Sequence, residues 1–234
     1  MCFYFDTSAP TFVETLPSDM TVQCDTTPVA ENLTATDNCG TATVTLSEVR
    51  TDGSCNSNYT LTRTWTATDS CGNATTHTQT ITVEDSSSPS FVEVLPVDIT
   101  VECDNIPAPA NLTATNNCGA ATVTFNEIKN NSSCPNNYVL LRTWTATDDC
   151  GLSTSYTQTI SVQDNTAPTF IGVLPIDTTV ECDNIPEPEN LAATDNCGTA
   201  TVTFNEVRNN SNCPNSYTLL RTWTAIDDCG TSAS

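Results

Sequence analysis

The chain repeats itself at a fixed interval of 79 residues. Cys24, Cys103 and Cys182 follow one another at this interval, and so do Trp65 and Trp144. The stretches TWTATDSCG, TWTATDDCG and TWTAIDDCG begin at residues 64, 143 and 222. Self-similarity at a fixed period is the signature of a tandem array, in which each copy folds as one structural unit. The sequence therefore predicts about three copies of one small domain.

The frame of this array is offset from the ends of the chain. Residues 1–7 align with the last strand of a preceding copy, and two copies follow at 8–86 and 87–165. A third copy, 166–234, lacks the counterpart of that last strand. We expect the chain to be an excerpt of a longer array. The alternative is a self-complementing fibre subunit, in which residues 1–6 complete the third copy of the next molecule.

Charge and hydropathy exclude two classes of partner. The chain carries 28 acidic and 6 basic residues, a net charge of −22. Nucleic-acid binding requires a basic surface, so we expect no nucleic-acid partner. The sequence contains no apolar run of 18 residues, so we also expect no membrane-spanning helix.

Thirteen cysteines divide into four in each copy plus Cys2. The four lie 15 or 16 residues apart, whereas structural zinc sites use closely spaced cysteine pairs, and no histidine recurs. Small exported domains commonly add disulfides to a modest core, so the pattern favours disulfides and a location outside the cytoplasm. Cys2 aligns with Ile81 and Ile160, which predicts a buried, inert thiol.

The direction of the strands indicates a pairing for these cysteines. Each copy reads as short strands rich in threonine and valine, broken by Pro, Asn, Asp and Gly, which is typical of an all-β domain. If successive strands alternate in direction, the first and third cysteines of a copy lie at one end and the second and fourth at the other. The predicted disulfides are Cys24–Cys55, Cys39–Cys71, Cys103–Cys134, Cys118–Cys150, Cys182–Cys213 and Cys197–Cys229. Sequential pairing, Cys24–Cys39 and Cys55–Cys71 in the first copy, is the alternative.

The segment YTLTRTWTATD, residues 59–69, alternates strictly between threonines and larger side chains. Its apolar face is the core face of a half-buried strand, and Arg63 lies on that face. A buried arginine needs a partner, and Glu48 holds the matching position in ATVTLSEV, residues 42–49. We predict three partly buried structural ion pairs, Glu48–Arg63, Glu127–Arg142 and Glu206–Arg221.

The repeated pattern TATDNCG, TWTATDxCG and VxD, followed by APTF and LPxDxTVECD, resembles the hyalin-repeat class of immunoglobulin-like domains. It is most similar to the four-cysteine variety found in tandem in very large surface proteins of Bacteroidota. The resemblance covers essentially the whole chain. It implies immunoglobulin- or fibronectin-III-like β-sandwiches arranged end to end, export from the cell, and an adhesive or stalk role.

Acidic and amide side chains recur in the turns that the alternation places at the entry of each copy. Clusters of carboxylate and amide oxygens are what calcium requires, and carboxylates packed without a cation repel one another. The alternative is plain turn chemistry, in which Asp and Asn cap their own backbone. The candidate calcium ligands are Asp6, Asp37, Asn38, Asp69, Glu84, Asp85, Asn116, Asn117, Asp148, Asp149, Asp164, Asp195, Asn196, Asp227 and Asp228.

No repeated set of residues matches a catalytic motif. The single histidine, His77, aligns with Tyr156, and the sequence contains no phosphate loop, HExxH or serine-histidine-aspartate pattern. We therefore expect no enzyme. The sequence predicts the shaft of an exported adhesin or filament, whose partners are neighbouring repeats of the same chain or further copies in a homo-oligomeric filament. The alternative is a module that itself binds a glycan or a cell-surface ligand.

Overall fold

The computed structural model describes residues 5–132, 134–213 and 215–234. Within these ranges the regular structure is β-strand, apart from one turn of 3-10 helix at Cys24–Thr26. The all-β class predicted from the strand pattern is therefore confirmed. In the described part of the chain, no helix has the length and apolar character needed to cross a lipid bilayer.

The first repeat builds one larger and one smaller sheet. Its strands are β1 (Thr11–Phe12), β2 (Met20–Gln23), β3 (Ala35–Thr36), β4 (Thr43–Asp52), β5 (Tyr59–Thr68) and β6 (Ala74–Glu84). The four-stranded sheet has the order β2-β6-β5-β4, in which β2 runs parallel to β6 and the other neighbours are antiparallel. β1 pairs antiparallel with β3 in a separate two-stranded sheet. The result is a small sandwich-like domain.

The second and third repeats follow the same plan. Their strands are β7 (Ser90–Phe91), β8 (Ile99–Glu102), β9 (Ala114–Thr115), β10 (Ala121–Asn131), β11 (Tyr138–Asp148), β12 (Ser153–Gln163), β13 (Thr169–Ile171), β14 (Ala192–Thr194), β15 (Ala200–Asn210), β16 (Tyr217–Asp227) and β17 (Ser232–Ala233). The second repeat has the order β10-β11-β12-β8, and the third has β15-β16-β17. Residues 178–181, all described, form no strand.

Alternation along β5 and β6 builds the core of the first repeat. Leu61, Trp65 and Ala67 are buried on one face of β5, and Ile81 and Val83 are buried on β6. The side chain of Trp65 is 1% exposed, and its Nε1 donates a hydrogen bond to the carbonyl of Glu31 at 2.9 Å. The polar end of the indole is thus satisfied while its ring fills the core.

The inward-facing arginines have the glutamate partners expected from the alternation. Glu48 faces Arg63 in the register of β4 and β5, and Arg63 Nε lies 2.7 Å from Glu48 Oε2. The pairs Arg142–Glu127 and Arg221–Glu206 have the same distance of 2.7 Å. The side chain of Arg63 is 6% exposed and that of Glu48 is 42% exposed, so burial falls mainly on the arginine. A second hydrogen bond, from Arg63 Nη2 to the carbonyl of Pro28 at 2.7 Å, satisfies the buried end.

The contacts divide the chain into two compact units whose limits fall inside the repeats. Unit 1 comprises Met1–Leu95, Leu112–Thr124 and Trp144–Ser155, and unit 2 comprises Pro96–Asn111, Phe125–Thr143 and Tyr156–Ser234. Each unit therefore includes the boundary between two successive repeats. The repeat limits 8–86, 87–165 and 166–234 describe the period of the sequence, while the units describe which residues pack together.

Candidate functional site: the joints between repeats

Disulfides link each repeat to the one that follows it. In unit 1, Cys24 is bonded to Cys118 and Cys55 to Cys150, with Cα–Cα distances of 5.8 and 5.1 Å. In unit 2, Cys103 is bonded to Cys197 and Cys134 to Cys229 with the same two distances. We call the contacts around the first two disulfides the first joint, and those around the other two the second joint.

The predicted pairing within each repeat is therefore wrong. The structure has none of the predicted bonds Cys24–Cys55, Cys39–Cys71, Cys103–Cys134, Cys118–Cys150, Cys182–Cys213 and Cys197–Cys229 among its described residues, nor the sequential alternative Cys24–Cys39 and Cys55–Cys71. Cys24 follows β2, and Cys55 lies between β4 and β5. Two to three strand spacings, roughly 10–14 Å, separate these positions across the sheet. A disulfide spans Cα atoms only about 4.4–6.8 Å apart, so this strand order disfavours a bond between the two cysteines.

Four cysteines have no disulfide partner among the described residues. Cys39 and Cys71 are the first-repeat counterparts of Cys118 and Cys150, which bond backwards to the preceding repeat. Cys182 and Cys213 are the third-repeat counterparts of Cys24 and Cys55, which bond forwards. All four are exposed. Their positions follow directly from the pattern of the two joints. Cys2 lies outside the described residues.

Backbone and side-chain hydrogen bonds reinforce both joints. The hydroxyl of Ser57 donates to the carbonyl of Cys118 in the next repeat. In the linker, the amide of Asp85 donates to Oδ1 of Asn58 at 2.6 Å, and the amide of Asp164 donates to Oδ1 of Asn137 at the same distance. The linker of each joint is therefore tied to the loop that carries the third cysteine of the preceding repeat.

The buried acidic group of the first joint is satisfied by an amide. Asp85 is buried, and Asn116 Nδ2 donates to Asp85 Oδ2 at 2.8 Å and to Asp148 Oδ2 at 3.4 Å. Asp148 Oδ1 accepts from the amides of Cys150 and Leu152, both at 2.9 Å. One neutral donor thus lies between the two carboxylates of this group.

The equivalent group of the second joint has no such donor among the described residues. Asp195 replaces Asn116 and lies near Asp164 and Asp227. Both carboxylate oxygens of Asp164, together with Asp195 Oδ1 and Asp227 Oδ2, are buried without a hydrogen-bond partner among the described residues. Burial raises the pKa of the Asp164 carboxyl above its usual value, and the charges of Asp195 and Asp227 raise it further. The amide of Thr166 acts on this pKa in the opposite direction, although it does not meet hydrogen-bond geometry to either oxygen.

The first repeat carries a third acidic group at its entry, formed by Asp6, Asp37 and Asp69. Asn73 Nδ2 donates to Asp69 Oδ2 at 2.8 Å, and this bond is the main reason why the pKa of Asp69 is lowered. The same amide reaches the carbonyl of Asp6 at 3.2 Å. Asp37 Oδ1 is buried without a hydrogen-bond partner among the residues that the structure describes. An amide donor thus again satisfies part of the group.

The remaining predicted ligands lie at the surface. These exposed residues are Asn38, Glu84, Asn117, Asp149, Asn196 and Asp228. Asp228 accepts hydrogen bonds from the Thr199 hydroxyl at 3.0 and 3.1 Å, a contact between two loops. The local turn chemistry weighed as the alternative to calcium is seen at Asp195, whose Oδ2 accepts from the amide of Cys197 at 2.9 Å. Asp149 has a carboxylate oxygen within 4.8 Å of Asp85.

Sequence reasoning missed Glu102, which adds a fourth carboxylate to the second joint. Oxygens of Glu102 and Asp164 lie within 4.8 Å of each other, and Glu102 accepts two hydrogen bonds of 3.1 Å from Asn165. Its counterpart at the first joint is Gln23. The change from Gln23-Cys24 to Glu102-Cys103 was visible in the sequence. Its meaning depends on the parallel pairing of β8 with β12, which places Glu102 opposite Gln163 and which the sequence pattern does not indicate.

The comparison with protein families agrees with the repeat structure. The family model described as "HYR-like domain with 4 cysteines" matches the chain twice, at residues 12–83 and 92–162. No curated protein matches the sequence significantly. Among solved structures, the chain is similar to cadherin ectodomains at low identity. Drosophila N-cadherin EC1-4 is 17% identical, with a TM-score of 0.31 and coverage of 96% of this chain and 73% of that one. Protocadherin Gamma B7 domains 1-4 are 15% identical, with a TM-score of 0.35 and coverage of 96% and 74%.

The two family matches together span more than half of the chain and contain all four cysteines of the first joint. They fall within the first and second repeats of the 79-residue period. The chain belongs to the family of HYR-like domains with four cysteines.

Proposed function

We propose that the chain is a structural segment of an exported adhesin or extracellular filament of a bacterial cell surface, and that it transmits mechanical force without catalytic activity. The observation that carries this proposal is the covalent cross-linking of each repeat to the next by two disulfides. A spacer that must hold another module at a distance benefits from joints that cannot be pulled apart.

The disulfides shorten the path that carries tension. With all four bonds intact, the shortest covalent route from end to end uses residues 1–24, 118–134 and 229–234, about 47 residues. At 3.3–3.6 Å per residue this route extends to about 160 Å, whereas the reduced chain of 234 residues extends to about 800 Å. Most of the chain is therefore shielded from an applied force.

The cysteines also support an extracellular location. Disulfides persist in oxidising compartments and are rare in the cytosol, where thiols are kept reduced. The four-cysteine HYR-like family and the likeness to four-cysteine repeats of Bacteroidota surface proteins point in the same direction. The adhesive context rests on this likeness and on the repeat architecture.

The unpaired cysteines support neighbouring repeats as the partners of this array. Cys39 and Cys71 match the backward-bonding half of a joint, and Cys182 and Cys213 match the forward-bonding half. Each pair fits a neighbouring HYR-like repeat that presents the complementary cysteines, in the same chain or in a second copy. The second arrangement would extend into a homo-oligomeric filament.

Packing of Trp65 and Trp144 favours a spacer over a module that binds glycans. Trp65 and Trp144 are each 1% exposed and serve the cores of their repeats, so neither offers a flat aromatic surface to a sugar. Strand donation by residues 1–6 depends on a segment whose residues 1–4 lie outside the described part of the chain.

Single-molecule stretching of the oxidised chain between tags at its two ends tests the proposal. We expect a final extension of about 160 Å for the oxidised chain and about 800 Å after reduction. The matched variants are Cys24→Ser/Cys118→Ser and Cys55→Ser/Cys150→Ser. The first reroutes the path through residues 1–55, 134–150 and 229–234, which extends to about 260 Å, and the second leaves the shortest path unchanged. Equal extension of oxidised and reduced chains would refute the proposal.

A further inference from the structure

The two joints differ in charge at the positions where they are otherwise most alike. The first joint has Gln23, Asp85, Asn116 and Asp148, and the second has Glu102, Asp164, Asp195 and Asp227 at the corresponding positions. Two carboxylates and two amides thus become four carboxylates. The disulfides around the two sets of residues have the same Cα–Cα distances in both joints. The formal charge of the four side chains is therefore twice as large in the second joint, although the disulfide spacing is the same.

The second joint leaves its extra charge without a partner. Asp164 is 3% exposed and Asp227 is 7% exposed, so both side chains are more than nine-tenths buried. Four buried oxygens of Asp164, Asp195 and Asp227 accept no hydrogen bond from any described residue. A buried carboxylate without a partner is strongly destabilising, and each neighbouring carboxylate adds repulsion.

No basic side chain is free to offset this charge, because all four in unit 2 have partners elsewhere. Arg142 and Arg221 pair with Glu127 and Glu206. Lys129 and Arg208 lie over the rings of Tyr138 and Tyr217 at 3.6 and 3.8 Å. No basic side chain of unit 2 therefore offsets the charge of this group.

We propose that the second joint binds a calcium ion through the carboxylates of Asp164, Asp195 and Asp227, and that the first joint does not. The buried atoms without a hydrogen-bond partner are all carboxylate oxygens, which are suitable ligands for a hard cation. Ca²⁺ takes six to eight oxygen ligands in flexible geometry. The nearby sulfur of Cys197 belongs to a disulfide and is not a thiolate, so the group is unsuited to zinc. Glu102 adds negative charge beside the site. This inference concerns the ion alone and is independent of the force that the chain transmits.

Isothermal titration of the oxidised, EDTA-stripped chain with CaCl₂ tests the inference. We expect about one Ca²⁺ per chain, and we expect Asp195→Asn, which supplies the amide found at the first joint, to weaken the affinity at least tenfold. The matched control is Asp177→Asn, which removes one exposed carboxylate of the same unit and should change the affinity less than threefold. Non-reducing mass spectrometry and circular dichroism establish that each variant is folded with its four disulfides.

Three results would overturn the inference. These are the absence of Ca²⁺ binding to the intact chain, equal affinity in the wild-type chain and Asp195→Asn, and an equal loss of affinity in Asp177→Asn. The last result would show that binding follows the overall charge of −22 and not the buried group.

Discussion

Asn116 donates its side-chain amide to Asp85 at 2.8 Å and thereby holds two repeats together at a point where carboxylates would otherwise repel. The third repeat has Asp195 at the position of Asn116. The first joint therefore has an amide donor between its carboxylates, whereas the second joint has buried carboxylate oxygens without a hydrogen-bond partner among the described residues.

The first prediction concerns Asn116→Asp in the presence of EDTA. The substitution replaces the donor with a third carboxylate beside Asp85 and Asp148, so we expect the free energy of unfolding to fall by about 1–3 kcal/mol. Urea denaturation of the oxidised chain measures this change. Asn117→Asp is the matched control, because Asn117 is exposed and its substitution should cost less than about 0.5 kcal/mol. Equal effects of the two variants would contradict the role given to the amide.

The second prediction concerns the pH dependence of stability without a cation. The pKa of Asp164 is raised in the folded chain by burial and by Asp195 and Asp227. A carboxyl group whose pKa is raised by folding stabilises the folded chain fully at pH values below its unfolded-state pKa. This stabilisation is lost as the pH rises through the folded-state pKa. In EDTA, the melting temperature of unit 2 should therefore fall across this interval.

The variant Asp195→Asn should show a smaller fall over the same interval, because it removes one of the charges that raise this pKa. Calorimetry from acid to neutral pH, in wild type and variant side by side, checks the difference. A steeper fall in the variant than in the wild type would contradict the assignment.

The third prediction concerns the disulfides of the first joint. With Cys24–Cys118 intact, Cys55–Cys150 closes a loop made of residues 24–55 and 118–150. For a loop of about 65 residues, the chain-entropy model gives a loss of about 4 kcal/mol in the free energy of unfolding when the bond is removed. The variant Cys55→Ser/Cys150→Ser is compared with Cys213→Ser by urea denaturation. Cys213 holds the same repeat position and has no disulfide partner among the described residues, so its loss should change little. Peptide mapping without reduction should recover the Cys24–Cys118 linkage in both variants.

The fourth prediction concerns the ion pair between Glu127 and Arg142. The arginine side chain is 5% exposed but the glutamate is 37% exposed, so solvent screens part of the interaction. We expect Glu127→Gln to cost about 1–2 kcal/mol, less than the loss of a fully buried partner. Asp52→Asn, which breaks the exposed pair Arg50–Asp52, should cost less than about 0.5 kcal/mol in the same denaturation assay.

Local alternation was enough to predict the faces of the long strands. A period of two assigns each side chain to one face, so the burial of Trp65 and the register of Glu48 with Arg63 could be predicted from residues 42–69 alone. Both depend on contacts between adjacent strands joined by one loop. Nothing in the rest of the domain has to be known.

The partners of the cysteines could not be predicted in this way. In a tandem array, a cysteine of the same repeat and its counterpart in the next repeat stand in the same sequence pattern, so spacing cannot distinguish them. The order β2-β6-β5-β4, with β2 parallel to β6, decides the matter by separating Cys24 from Cys55 across the sheet. Strand order depends on long-range pairing, which periodicity does not report. For the same reason, periodicity did not indicate Glu102 as part of the second joint, because its place there depends on the parallel pairing of β8 with β12.

The forward bonding of the cysteines gives the array tolerance to backbone cleavage. A protease that cuts the linker between Glu84 and Ser90 leaves the fragments connected, because Cys24–Cys118 and Cys55–Cys150 both bridge the cut. Severing the first joint requires two reductions as well as one hydrolysis, which neither a protease nor a reductant alone achieves.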